Sequence, residues 1–196
     1  MSKIEVFDKD YFENGVKTGK SNYQDYSWER LGSYFKDTAQ HIKNKFQPKT
    51  VLDVGCAKGF LVKALNDIGI EAQGVDVSEY ALEKSIVPDK TKFGKAQELP
   101  FEDDSFDVVV AFDILEHIPT KDVQKVCKEL LRVAKKWVIV RVVTEKLKDD
   151  LDASHETIKP REYWESKFNS IDITSYLNEK VWWFNVSEFL IISKKK

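Results

Sequence analysis

Three groups of residues in this 196-residue chain have types and spacings that could do chemistry. The first is Asp53, Gly55, Cys56, Ala57 and Gly59, in the stretch VLDVGCAKGF. Glycine lets a backbone approach a ligand closely, and an acid beside it can orient a cationic ligand group directly or through water. The spacing rules out two phosphate cradles. A P-loop needs GxxxxGK followed by Ser or Thr, yet the count from Gly55 reaches Phe60; a dinucleotide fingerprint needs GxGxxG, and the same count meets Ala57 and Phe60. A second acid, Asp76, follows about twenty residues later, where an acid ending a strand can grip both hydroxyls of a ribose.

The second group is Asp113, Glu116 and His117 in DILEH. If the chain turns helically there, these oxygen and nitrogen donors at i, i+3 and i+4 share one face, and a Mg²⁺-type ion accepts carboxylates readily. In the competing reading Glu116 and His117 bond to backbone and shape a pocket floor. The third group is His155 in the polar loop LDASHETIKPREYW, a candidate general base because imidazole titrates near neutrality. His117 is the second candidate for catalysis. An exposed or capping role competes for His155, and HETIK lacks the second histidine of a zincin. Ahead of all three lies YFENGVKTGKSNYQDYSW, whose Tyr23, Tyr26 and Trp28 are candidate acceptor contacts. The same aromatics could simply pin the segment to the core or bind a partner.

The elements that must position these groups can be read from periodicity. Trp28, Leu31, Phe35, Ala39, Ile42 and Phe46 recur at helical spacing, with Ser27 as cap and Pro48 beyond the end. Thr50 to Val54 reads as a first strand, followed by a helix with Phe60, Leu61, Ala64, Leu65 and Ile68 inward and Gly69 at its stop. Strands follow at Ala72 to Val77, Thr91 to Gly94, Phe106 to Phe112 and Trp137 to Val143. Ser78 caps one intervening helix and Thr120 opens another. Continuously apolar strands such as VVVAF suit a parallel sheet covered on both faces. The class is therefore α/β, a Rossmann-like doubly wound sheet. Ser170 to Ser175 and Ser187 to Lys194 read as an antiparallel pair at its edge.

VLDVGCAKGF, GVDVSEY and AQELPFEDDSFDVVVAFDILEHI together resemble the class I S-adenosylmethionine-dependent methyltransferases, in the group that includes the ubiquinone-pathway O-methyltransferases. The resemblance implies a seven-stranded, mostly parallel sheet with an antiparallel edge strand, and S-adenosyl-L-methionine as cofactor. It implies that Gly55 and Cys56 pass alongside the methionine part, that Asp76 holds ribose, and that Val77 packs on adenine. Ala96 and Gln97 would meet the adenine edge, with Phe112 near the sulfonium. Relatives in the ubiquinone group use a similar acid-x-x-Glu-His set to hold a divalent metal, which makes Mg²⁺ a candidate second cofactor, whereas many other relatives keep LEH without a metal. Two positions depart from the pattern: Ala57 where glycine is frequent, and Lys95 where aspartate is frequent. The implied activity is methylation of a small molecule, at oxygen more than nitrogen. A methyltransferase fold that binds cofactor only to serve a partner complex is the competing class.

Composition bounds the rest. With 42% hydrophobic and 33% charged residues and a net charge of −2, the chain reads as a globular protein with no basic field for nucleic acid. No apolar run reaches the roughly 18 residues of a membrane span, and Cys56 and Cys127 lack metal or disulfide spacing. The expectation is a cytoplasmic monomer or homodimer with one domain over 1–196, residues 1–47 forming a cap and helix and 48–196 the core.

Overall fold

The computed structural model describes residues 3–145, 151–168 and 187–193. Its elements run α1 (Lys9–Glu13), α2 (Gly15–Thr18), α3 (Trp28–Phe46), β1 (Thr50–Val54), α4 (Phe60–Asp67), β2 (Glu71–Asp76), α5 (Glu79–Glu83), β3 (Thr91–Phe93), β4 (Phe106–Phe112), α6 (Val123–Val133), β5 (Ala134–Val143), α7 (Arg161–Phe168) and β6 (Ser187–Ser193). The strands form one sheet in the order β3-β2-β1-β4-β5-β6. β6 runs antiparallel to β5, and the pairs β1·β2, β2·β3 and β4·β5 are parallel. This is the α/β doubly wound pattern with an antiparallel edge. Six strands are seen where seven are expected, and the run 170–175 that would supply the seventh lies outside the described residues.

The described residues fall into two compact units, one drawn from Met1–Lys95 and Asp149–Ser154, the other from Ala96–Lys148 and His155–Lys196. In the first, Val51, Leu52 and Val54 of β1 are buried along with Phe60, Leu61 and Leu65 of α4. Strand and helix are thus apolar on facing sides, and burying each such side chain contributes roughly 1.5–3 kcal/mol. α3 spans the residues its periodicity predicts, although Ser27 makes no capping bond; its hydroxyl donates to Asp25 instead. Gln47 closes the helix in the left-handed conformation.

In the second unit, Val108, Val109, Val110 and Ala111 of β4 have no exposed surface, and Leu130 of α6, Trp164 and Phe168 of α7, and Leu190 and Ile192 of the edge strand β6 are buried as well. Two boundaries differ from the periodic reading. α6 begins at Val123 rather than Thr120, because Pro119 to Asp122 forms a turn in which the Asp122 amide donates to the Pro119 carbonyl at 2.7 Å. β5 begins at Ala134, directly after α6 with no loop between them, and its exposed Lys135 and Lys136 disguise the start.

Candidate active site

In the first unit the glycine loop is a chain of left-handed residues at alternate positions: Gly55 at φ 79°, Ala57 at φ 46° and Gly59 at φ 76°. Alternation of this kind turns successive amides toward one concave side. The Gly55 and Cys56 amides both donate to the Val75 carbonyl, at 2.8 and 3.1 Å. The Ala57 amide donates to Asp76 Oδ2 at 2.7 Å, and the Ser78 amide to Asp76 Oδ1, also at 2.7 Å. Asp76 therefore ties the loop to the end of β2 with one lone pair on each oxygen, leaving the others for further donors. Burial pushes its carboxyl above the usual range, against the pull of the backbone amides. Asp53 is buried in β1, in register with Gly74 of β2. Gly74 is required there: a Cβ would lie 2.7 Å from both Cβ and Sγ of Cys56. Val77 follows Asp76, half-buried, at the head of α5. At Ala57, the position where relatives often carry glycine, the backbone demands a positive φ, a conformation that costs a residue with a Cβ about 1–2 kcal/mol.

The aromatic N-terminal segment belongs to the same unit. Tyr11, Phe12 and Tyr26 are buried in one cluster with Phe60, and Tyr23, Trp28 and Tyr80 pack on it. The Tyr26 ring stacks on Phe60 at 5.1 Å, Trp28 meets Phe60 edge-on, and Tyr23 meets Tyr26 edge-on at 4.9 Å. The three candidate acceptor contacts thus also anchor the segment to α4. Sequence reasoning missed Lys58, a buried loop lysine whose ammonium binds the Glu13 carboxylate and donates to the Tyr26 carbonyl at 2.7 Å. Nothing in the local pattern distinguishes it from a solvated loop lysine.

In the second unit the groups after β4 are arranged differently from the helical reading. Asp113 has φ 53°, so it leaves the helical conformation, and only Leu115–His117 form a 3₁₀ turn. Asp113 makes a two-pronged ion pair with Arg141 of β5, with Nε to Oδ1 at 2.7 Å. The Arg141 guanidinium also lies 5.3 Å from the centre of the Phe112 ring. Arg141 was not singled out, although an arginine inside WVIVRVV carried a usable signal: a charge in an apolar strand has to be paired. Glu116 has no exposed surface. The Val143 amide contacts its Oε1 at 3.4 Å, while its Oε2 has no hydrogen-bond partner among the described residues. Burial, with the Asp113 charge adding to it, holds this carboxyl well above the usual range.

The segment carrying His155 is stitched to this turn. The Glu156 and Thr157 amides donate to the Glu116 carbonyl at 2.8 and 2.9 Å, and the Thr157 hydroxyl donates to the Ile118 carbonyl at 2.7 Å. These bonds bring the His117 and His155 rings to 4.9 Å, tilted by 46°. Glu116, His117 and His155 each offer a donor atom, all within 4.8 Å of one another. Two of the three residues read as a magnesium set are therefore grouped with the candidate base, and Asp113 is engaged by Arg141. Ala96 is buried, Gln97 is half-buried and Lys95 is exposed, in the turns after β3.

Residues 52–140 match the family model described as a methyltransferase domain, a span that contains both the glycine loop and the turn after β4. That segment, a little under half of the chain, is similar to the methyltransferase domains of this family. The chain is 31% identical over 126 residues to norajmaline N-methyltransferase of Rauvolfia serpentina, covering 59% of this chain and 42% of that one. It is 29% identical over 114 residues to the ubiquinone biosynthesis O-methyltransferase of Paraburkholderia phytofirmans, covering 54% and 49%. The chain thus spans less than half the length of these curated relatives. In fold it is similar to the PH0226 protein of Pyrococcus horikoshii OT3, with a TM-score of 0.71, 23% identity and coverage of 95% of this chain and 99% of that one. No helix among the described residues is long and apolar enough to cross a membrane.

Proposed function

We propose that this protein is a methyltransferase that moves the methyl group of S-adenosylmethionine to an oxygen atom of a small-molecule acceptor. The relatives methylate nitrogen in one case and oxygen in another, so the choice rests on this chain's own residues. The observation that carries it is the cluster of Glu116, His117 and His155, four and more residues beyond Phe112, which the family resemblance places near the sulfonium. Methyl transfer is an in-line displacement in which placement of the reactants supplies much of the rate. A hydroxyl acceptor also has to lose a proton at or before attack, and a pair of imidazoles beside a carboxyl is equipped to assist that loss. An amine needs no such group, since it releases its proton to solvent.

Within the first unit, Asp53, Gly55, Cys56, Ala57 and Gly59 are assigned to the methionine part of the cofactor and Asp76 to the ribose. Val77, and in the second unit Ala96 and Gln97, are assigned to adenine. Acceptor selection is assigned to the N-terminal segment, through Tyr23 and Trp28, which are only partly buried, and through the neighbouring Tyr26.

The test is turnover of S-adenosylmethionine with matched hydroxylated and aminated small molecules, read as S-adenosylhomocysteine formed and as the mass and fragmentation of the product. A methyl ether or ester supports the reading; methylation at nitrogen or carbon overturns it. His155→Ala and His117→Ala are expected to lower turnover 10²-fold or more while leaving cofactor affinity intact, and full turnover in both would remove the cluster from the chemistry.

A further inference from the structure

We infer that Glu129 and Arg132 of α6 are positioning residues for adenine recognition, acting through the backbone of Leu99 on the turn that carries Ala96 and Gln97. The inference rests on the preceding assignment of Ala96 and Gln97 to adenine and deepens it, because it names what sets their geometry. All of these residues belong to the second unit. The segment 96–105 ahead of β4 carries no helix or strand, so its backbone groups need partners outside the regular ladders.

The pair on α6 supplies those partners. Glu129 Oε2 accepts from the Leu99 amide at 2.8 Å, and Arg132 Nη2 donates to the Leu99 carbonyl at 3.0 Å. Both backbone groups of one residue are thus held by one side-chain pair, thirty and more positions further along the chain. Arg132 Nη1 donates to the Phe101 carbonyl at 2.8 Å and to Asp103 Oδ1 at 2.9 Å. Its Nε and Nη2 donate to the two Glu129 oxygens, at 2.7 and 2.8 Å. These five bonds match the five N–H donors of a guanidinium. A lysine, with three donors on a single nitrogen, does not reproduce that fork.

The arms of the fork differ in weight. The Asp103 side chain is 74% exposed, so its ion pair is screened and contributes little. Glu129 is 17% exposed, and its hydrogen bond with Arg132 holds its carboxyl below the usual range. Glu129 is therefore charged at neutral pH, and a charged acceptor gives the Leu99 amide a stronger bond than a neutral one would. Leu99 lies two residues past Gln97, and Ala96 and Leu99 are both buried. A turn pinned there before a ligand arrives needs no ordering on binding, a step that otherwise weakens affinity. Groups held in place reject an edge with the wrong donor or acceptor, since the mismatch leaves a buried group unpaired.

The test is calorimetry of the full chain with S-adenosylhomocysteine and with S-inosylhomocysteine, which differ only at the base edge, where an amino donor becomes a carbonyl acceptor. Wild type is expected to prefer the adenine form roughly tenfold or more. Arg132→Ala and Arg132→Lys should raise the Kd for S-adenosylhomocysteine roughly tenfold while moving that for S-inosylhomocysteine less than about threefold, so that the preference collapses. Glu129→Gln, which keeps one acceptor oxygen, should retain an intermediate preference, and Asp103→Ala should retain all of it. A purely structural loss lowers the folded fraction and weakens both ligands by the same factor, leaving their ratio untouched. Should Arg132→Ala fail to fold, Glu129→Gln decides, with hydrogen exchange as a second readout: its Leu99 amide should exchange roughly tenfold faster while α6 stays protected. Full adenine preference in folded Arg132→Lys and Glu129→Gln, or equal weakening of both ligands, would overturn this inference and leave the adenine assignment standing. A wild type that binds both ligands alike removes the adenine assignment, and this inference with it.

Discussion

Replacing Asp76 with alanine tests two jobs of one carboxylate. The side chain accepts from the Ala57 amide and from the Ser78 amide, each at 2.7 Å. Hydrogen bonds to a charged group contribute about 1.5–3 kcal/mol each, and both amides belong to buried residues, so their loss is not readily repaired by water. The gross loss is roughly 3–6 kcal/mol. Against it stands relief from burying a carboxylate, whose effect is visible in its raised pKa. A net destabilisation of about 2–4 kcal/mol in urea unfolding is expected. Two ribose hydroxyls donating to the remaining lone pairs would add about 1.5 kcal/mol each, or about 3 kcal/mol, which is roughly a 100-fold rise in Kd for S-adenosylhomocysteine by calorimetry. Asp76→Asn, which keeps one acceptor oxygen, should fall between wild type and Asp76→Ala in both measurements. A folded Asp76→Ala protein that binds within threefold of wild type would refute the ribose assignment, and unchanged urea stability would refute the brace.

The pH dependence of the same group separates the two jobs again. Its folded pKa is raised above the ordinary 3.8, so the native state holds this proton more tightly than the unfolded chain. The resulting stabilisation of the free protein is present below the unfolded pKa and lost as pH rises through the folded one. Cofactor affinity needs the charged form, so it should be full at neutral pH and decline on acidification before an ordinary aspartate would titrate.

Ala57→Gly exchanges left-handed strain of about 1–2 kcal/mol for about 0.4–1 kcal/mol of added chain entropy, so Tm should rise by about 1–4 °C; a fall would show that the alanine methyl contributes packing that outweighs the strain. Gly74→Ala should destabilise by about 1–3 kcal/mol, since its Cβ would press on Cys56 and on Val62 at 2.9 Å. Pairing it with Cys56→Gly should recover part of that loss in urea unfolding, and no recovery would place the clash elsewhere. Both thiols should react slowly with a disulfide reagent at pH 8 in the native state, because burial pushes Cys127 up to about 12 and Cys56 well above its usual range; rapid labelling of either would contradict that burial.

The fold was legible wherever one element carried its own period. α3 and β1 could be bounded from apolar spacing alone, because a helix of nineteen residues and a strand buried along its length each repeat their signal. α1 and α2 are too short to show a period, which is why the N-terminal segment read only as aromatic and polar. The start of β5 was hidden because α6 passes into it without a turn, and its first exposed residues are lysines. The candidate site divides in the same way. Asp53, Asp76 and the glycines stand at sequence spacings set by a strand-loop-helix unit, so local pattern finds them. The neighbourhood of His117 and His155 depends on amides at 156 and 157 reaching a carbonyl forty residues earlier, and Asp113 leaves the predicted face through a single positive φ. Neither fact has a periodic trace.

Lys58 gives the glycine loop a second allegiance. Its backbone is part of the turn assigned to the cofactor, while its ammonium is committed to Glu13 and to the Tyr26 carbonyl, in the segment assigned to the acceptor. A chimera that imports a relative's N-terminal segment to change the acceptor would therefore disturb the cofactor loop as well, unless the graft carries an acid at position 13 and keeps the chain path at 26. Under these assignments acceptor range and cofactor grip would be coupled through one lysine, and retargeting by segment exchange would have to begin there.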